Sequence, residues 1–92
     1  MRFEWDAAKN ERNVRERGIA FGDALRVFED WTLEALDVRE DYDEDRVIAI
    51  GLANGVELVV VYTLRAADLT RIISAPRANK RERKAYWQAR PK

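Results

Sequence analysis

The chain has 92 residues, the length of one domain (1–92), with 17 Lys and Arg against 17 Asp and Glu and no formal net charge. It contains no Cys and no His, which excludes disulfides, thiolate metal sites, thiol nucleophiles and any mechanism that depends on imidazole. No apolar run approaches the roughly 20 residues of a membrane helix, and no charged-then-apolar leader precedes Trp5, so a soluble chain with no membrane partner is expected.

A weak N-terminal strand containing Phe3 and Trp5 comes first. Asp6 is a good N-cap for a mostly polar helix over roughly 6–17, with Gly18 placed to stop it. Phe21, Ala24, Leu25 and Phe28 follow at i, i+3, i+4 and i+7, the spacing of an amphipathic helix. Leu33, Ala35 and Val38 support a modest strand, and Asp41 to Asp45 reads as a solvated connection. Arg46 to Leu52 is predicted as a strand, with Ala53-Asn54-Gly55 as a hairpin turn. Val56 to Leu64 then contains Leu58-Val59-Val60-Val61, apolar on both faces, which belongs mid-sheet under cover on both sides. After a turn at 65–68, Leu69 to Ala75 forms the next strand and Pro76 ends it. Asn79 and Glu82 make a capping box for a last helix over about 80–89. The expected fold is α+β: two N-terminal helices, an antiparallel three- to four-stranded meander sheet and a C-terminal helix.

Neutral overall charge hides a segregation. Residues 29–46 carry nine acidic and two basic side chains, net −7, while residues 71–92 carry eight basic and one acidic, net +7. A basic end of this kind points to nucleic acid or another polyanion. Alternation along the last strand sets Arg71 on the opposite face from Ile72 and Ser74, and Arg77 lies just before the final helix, where free N–H groups favour an anion. Arg forks suit phosphate. Lys80, Arg83 and Lys84 share a helix face, and Tyr86 and Trp87 offer rings on which unpaired bases could stack. At the other end, Lys9 and Asn13 share a face at i, i+4. Glu82 is explained by capping. The acidic residues 37–45 lack the Gly turn and closing Glu of a calcium loop and read as a solvated face.

Several motifs occur in order: Phe3-Glu4-Trp5-Asp6-x-x-Lys9-x-x-x-Asn13, Gly18-Ile19-x-Phe21, Arg46-x-Ile48-x-Ile50-Gly51, Leu58 to Thr63, and Arg71 to Ala75 through Glu82-Arg83-x-x-Tyr86. Together they resemble the BrnT toxin family over nearly the whole chain. The resemblance implies a RelE-like α+β ribonuclease, the toxin of a type II toxin–antitoxin pair. Such a toxin acts in the bacterial cytoplasm, cleaves RNA with no metal or other cofactor, and is neutralised by a BrnA-like ribbon-helix-helix antitoxin. Operator DNA would be bound only through that complex. The family's functional positions would fall on Lys9, Arg71, Arg77, Arg83 and Tyr86, with Asn13 and Glu82 as further positions. Arg17, Lys80, Lys84 and Trp87 would contact RNA. The chain departs from the family pattern at Glu16-Arg17, where a Lys-His pair is usual, and at Pro76, where Arg often follows Ser-Ala. General acid–base groups typically contribute about 10²–10⁴-fold, so an attenuated protein that binds RNA or antitoxin without cutting is the alternative. A DNA-binding regulator acting alone is a third reading, for which no helix-turn-helix is visible.

Overall fold

The computed structural model describes residues 1–92. Its elements are β1 (Arg2–Trp5), α1 (Ala7–Arg17), α2 (Phe21–Ala24) continuing into a 3₁₀ turn (Leu25–Glu29), β2 (Leu33–Leu36), β3 (Val47–Ala53), β4 (Val56–Ala66), β5 (Leu69–Ser74) and α3 (Lys80–Ala89). The helix ends follow from their caps. The Asp6 carboxylate accepts from the N–H groups of Ala8 and Lys9 at 2.8 and 3.2 Å, and Gly18, at φ 71°, turns the chain out of α1. Asn79 and Glu82 form a reciprocal capping box on α3, each side chain accepting from the other's N–H at 2.8 Å.

The second predicted helix is realised as one α-turn followed by 3₁₀ winding. Its fully buried residues are Phe21, Ala24 and Val27, a repeat of three. In a 3₁₀ turn, residues i and i+3 eclipse, so winding at three per turn keeps this row against the sheet. Val38 lies beyond β2 and is 83% exposed.

The expected antiparallel meander of three to four strands needs correction. The sheet has five strands in the order β1-β5-β4-β3-β2 and is mixed, because β1 pairs parallel with β5 while the other neighbours are antiparallel. Hairpin signals reveal strands joined by short turns, and β1 reaches β5 across most of the chain. β4, apolar on both faces, is the central strand. One face carries Leu58, Val60 and Ile72 under α2 and the 3₁₀ turn; the other carries Ile50 and Val59 under Ala78 and Tyr86 from the α3 region. Gly51 permits the closest approach on the first face, since a Cβ there would stand 2.9 Å from Val27 Cβ and 3.0 Å from Thr32 Cγ2.

A register shift near the end of β5 alters which residues share a face. Tyr62 opposes Ile72, yet Val61 opposes Ser74, so Ile73 is the extra residue of a bulge. Directly opposed residues lie on one face. Ser74 therefore turns to the face of Val61 and Arg71, correcting the simple alternation that placed it with Ile72. Beyond the bulge the chain still follows β4: the Val59 N–H donates to the Pro76 carbonyl, Arg77 bridges Leu58, and the Ala78 N–H donates to the Glu57 carbonyl. Arg77 thus emerges on the face opposite Arg71.

Candidate functional site

The corner where α1 ends against the end of β5 is held by one side chain. Asn13 is 3% exposed, and its Nδ2 donates to the carbonyls of Ile19 at 2.8 Å and Ala75 at 3.1 Å. Those bonds tie together the helix, the chain reversal after Gly18 and the last strand, three segments far apart in sequence. Asn10 adds a second tie, its Oδ1 accepting from the Phe21 N–H at 2.7 Å.

Beside this clamp is a pocket of about 140 Å³. Lys9, Arg12 and Arg17 supply three cations from α1, Asn13 and Ser74 supply neutral polar groups, and Phe21 and Ile73 supply apolar wall. No acidic side chain lines it. Glu16 lies just outside, a loose 3.8 Å from Arg17. Lys9, Asn13 and Arg17 recur every four residues, and Arg12 is three after Lys9, so one helical face carries them all. Ile73 and Ser74, at the bulge of β5, line the other side of the same space. Three like charges gathered with only one loose counter-ion, Glu16 at the rim, form a site for an anion.

The remaining sequence-predicted residues are distributed over other surfaces. Arg71 is ion-paired with Glu4 on the neighbouring strand β1, in register with it. Arg77 lines a separate pocket of about 180 Å³ with Asp23 and Asn54. Six residues of nearly extended chain, about 20 Å at roughly 3.3 Å per residue, separate Arg71 from Arg77 on opposite faces, so the two do not meet on one phosphate. Arg83 donates to the Ala78 carbonyl at 2.8 Å. Lys80 and Lys84 point outward from α3 and make no ion pair. Glu82 is fully occupied as a cap.

Tyr86 is 0% exposed. Its hydroxyl donates to the Trp31 carbonyl at 3.2 Å and accepts from Arg90. It is a core side chain here, with no free ring face for a base. Trp87 is half exposed, and its indole N–H donates to Glu57 at 2.9 Å. That bond, assisted by the Glu57 backbone N–H and the charge of Arg83, holds the Glu57 carboxyl below its usual range. Arg12 is the residue sequence reasoning missed, although its spacing from Lys9 was a usable signal.

The acidic stretch is more organised than a solvated connection. Asp37 is 6% exposed and accepts from the Arg39 guanidinium at 2.7 and 2.8 Å and from the Tyr42 hydroxyl at 3.2 Å. The Arg39 bonds are the main cause holding this carboxyl far below its ordinary range, against the opposing effect of burial. Arg46 stacks over the Tyr42 ring at 3.9 Å. Glu40, Asp41, Asp43 and Asp45 remain exposed.

Comparison with known families gives one decisive match. Residues 5–82 fit the family described as the ribonuclease toxin, BrnT, of type II toxin–antitoxin systems. The chain belongs to this family. The BrnT match covers α1, strands β2 to β5 and the start of α3, and therefore the clamp and the pocket. Among solved structures, the crystal structure of the Brucella abortus ribonuclease toxin BrnT is similar in fold, with TM-score 0.63 and 24% identity over 87% of this chain and 99% of that one. No curated protein matches the sequence significantly.

Proposed function

We propose that this BrnT-family chain is a metal-independent endoribonuclease whose reacting phosphate sits in the Lys9–Arg12–Arg17 pocket. The convergence of three cations with Ser74 beside the Asn13 clamp carries this reading. RNA cleavage by 2′-OH attack builds negative charge on a pentacovalent phosphate, and fixed cations lower that barrier by being positioned before the charge appears. Lys9 and Arg17 face the phosphate and the leaving 5′-oxygen, and Arg12 and Ser74 orient it. As the O2′–P bond forms and the P–O5′ bond breaks, water takes the 2′-OH proton and the 5′-oxygen is protonated from Lys9 or solvent. Arg77, Lys80, Lys84 and half-exposed Trp87 lie along the chain that leaves the corner and serve the flanking RNA. Arg71, bound to Glu4, supports the β1–β5 edge. A BrnA-like ribbon-helix-helix antitoxin is the proposed partner, with operator DNA engaged through that complex in the bacterial cytoplasm.

Purified protein should cleave single-stranded RNA in EDTA and leave 2′,3′-cyclic phosphate ends. Lys9→Ala, Arg12→Ala and Arg17→Ala should each lower the rate at least about tenfold without lowering the melting temperature, within the range of a lost transition-state contact. Cleavage at the wild-type rate in all three variants refutes the site. The pocket holds neither imidazole nor carboxylate, which favours a second reading, a module that binds RNA without cutting. Tight RNA binding with no cyclic-phosphate product distinguishes it.

A further inference from the structure

We propose that Asn13 selects ribose, its Oδ1 receiving the 2′-OH of the nucleotide whose phosphate lies among Lys9, Arg12 and Arg17. The proposal rests on the nucleotide reading of that pocket. An Asn amide has two donor protons on nitrogen and an acceptor on oxygen. In Asn13 the nitrogen faces two carbonyls, Ile19 and Ala75. The reversed amide would set oxygen against both carbonyls, so the hydrogen-bond network fixes the orientation. Oδ1 then points away from the clamp. It accepts from no group of the protein, and no buried side-chain polar atom lacks a partner, so Oδ1 reaches solvent. The open space Asn13 lines is the basic pocket.

A neutral acceptor set among three cations has a defined preference. Phosphate and carboxylate oxygens are themselves acceptors and gain nothing from Oδ1. A hydroxyl carried next to a phosphate satisfies both parts of the site, and a ribonucleotide presents one at the 2′ position. A deoxynucleotide leaves the amide oxygen of a residue only 3% exposed without a donor, and sites built around one hydroxyl reject analogues lacking it for this reason. An amide oxygen does not take a proton near neutrality, so Asn13 acts in recognition.

Mononucleotides that cannot be cleaved test this directly. Binding of a ribonucleoside 3′-monophosphate, its 2′-deoxy and 2′-fluoro counterparts, and inorganic phosphate would be followed by NMR titration of the full chain. Wild type should prefer the 2′-OH ligand over the 2′-deoxy and 2′-fluoro ligands by about five- to tenfold, the scale of one hydrogen bond. The Asn13 side-chain amide signals should shift with the ribose ligand and not with the deoxy ligand. Asn13→Ala, where folded, should erase the preference, read as the ratio of ribose to deoxy affinities, whatever loss of the clamp does to affinity as a whole. A purely structural Asn13 would instead weaken all ligands together. Equal binding of the three nucleotides, or a preference that survives in Asn13→Ala, overturns the role of Asn13 and leaves the phosphate site standing. Failure of every ligand, inorganic phosphate included, overturns the underlying reading as well. Should Asn13→Ala not fold, the wild-type series and the amide shifts decide alone.

Discussion

Tyr86 and Asn13 are both buried polar side chains, and they differ in what their polar atoms have left to offer. The Tyr86 hydroxyl both donates, to Trp31, and accepts, from Arg90, within the protein. Asn13 satisfies only its nitrogen and keeps an acceptor for the pocket. The family resemblance implied a functional Tyr86; its ring and hydroxyl are packed into the core. Tyr86→Phe should therefore lower stability by about 1–2 kcal/mol, the cost of leaving buried partners unpaired. The cleavage rate per folded molecule should change little. Thermal melting together with a single-turnover assay checks both, and a large loss of rate at unchanged stability would restore Tyr86 to the chemistry.

At the scale of elements, the connection from β2 to β3 is ordered by charge. Its anchor, Asp37, has a carboxyl held well below the ordinary carboxylate range, chiefly by the Arg39 guanidinium. A depressed carboxylate contributes stability that is complete above the unfolded-state pKa and is lost as pH falls toward the folded one. Acid below about pH 4 should loosen this connection, and Asp37→Asn should cost about 1–3 kcal/mol at pH 7 while flattening the acid limb of the stability curve. Denaturant melts of both proteins from pH 7 to pH 3 measure this. Much at this scale was legible in the sequence, because the responsible signals are local: the Asp6 cap, the Asn79–Glu82 box, the Asn54-Gly55 hairpin, and the Lys9–Asn13 face. What escaped depends on distant partners or on register. The parallel β1–β5 pairing has no hairpin to announce it. The bulge at Ile73 moves Ser74 off the face of Ile72 without any unusual residue at the site. Asn13 gains its meaning only from Ala75, 62 positions later.

At the scale of the whole molecule, zero net charge divides into a cationic corner and C-terminal end and an acidic β2–β3 connection. With no net monopole, attraction of RNA depends on the local field of the pocket, which salt screens within about 8–10 Å. Affinity for single-stranded RNA should therefore fall with salt by a log–log slope of about −0.7 per phosphate held, hence about −0.7 to −2.1 for one to three phosphates. A fluorescence-anisotropy salt series gives the slope, and a value near zero would remove phosphate from the site. The Asn13–Ala75 bond and the β1–β5 ladder also govern when the site can exist. The pocket's cations are made early, by residue 17, but its other wall is Ile73 and Ser74, and the strand that seats them pairs with the first strand of the chain. Closing so long a loop is slow and is complete only when the sheet is complete. An unfinished chain emerging from a ribosome carries the charges without the pocket, so the proposed phosphate site exists only after β5 has been translated and docked.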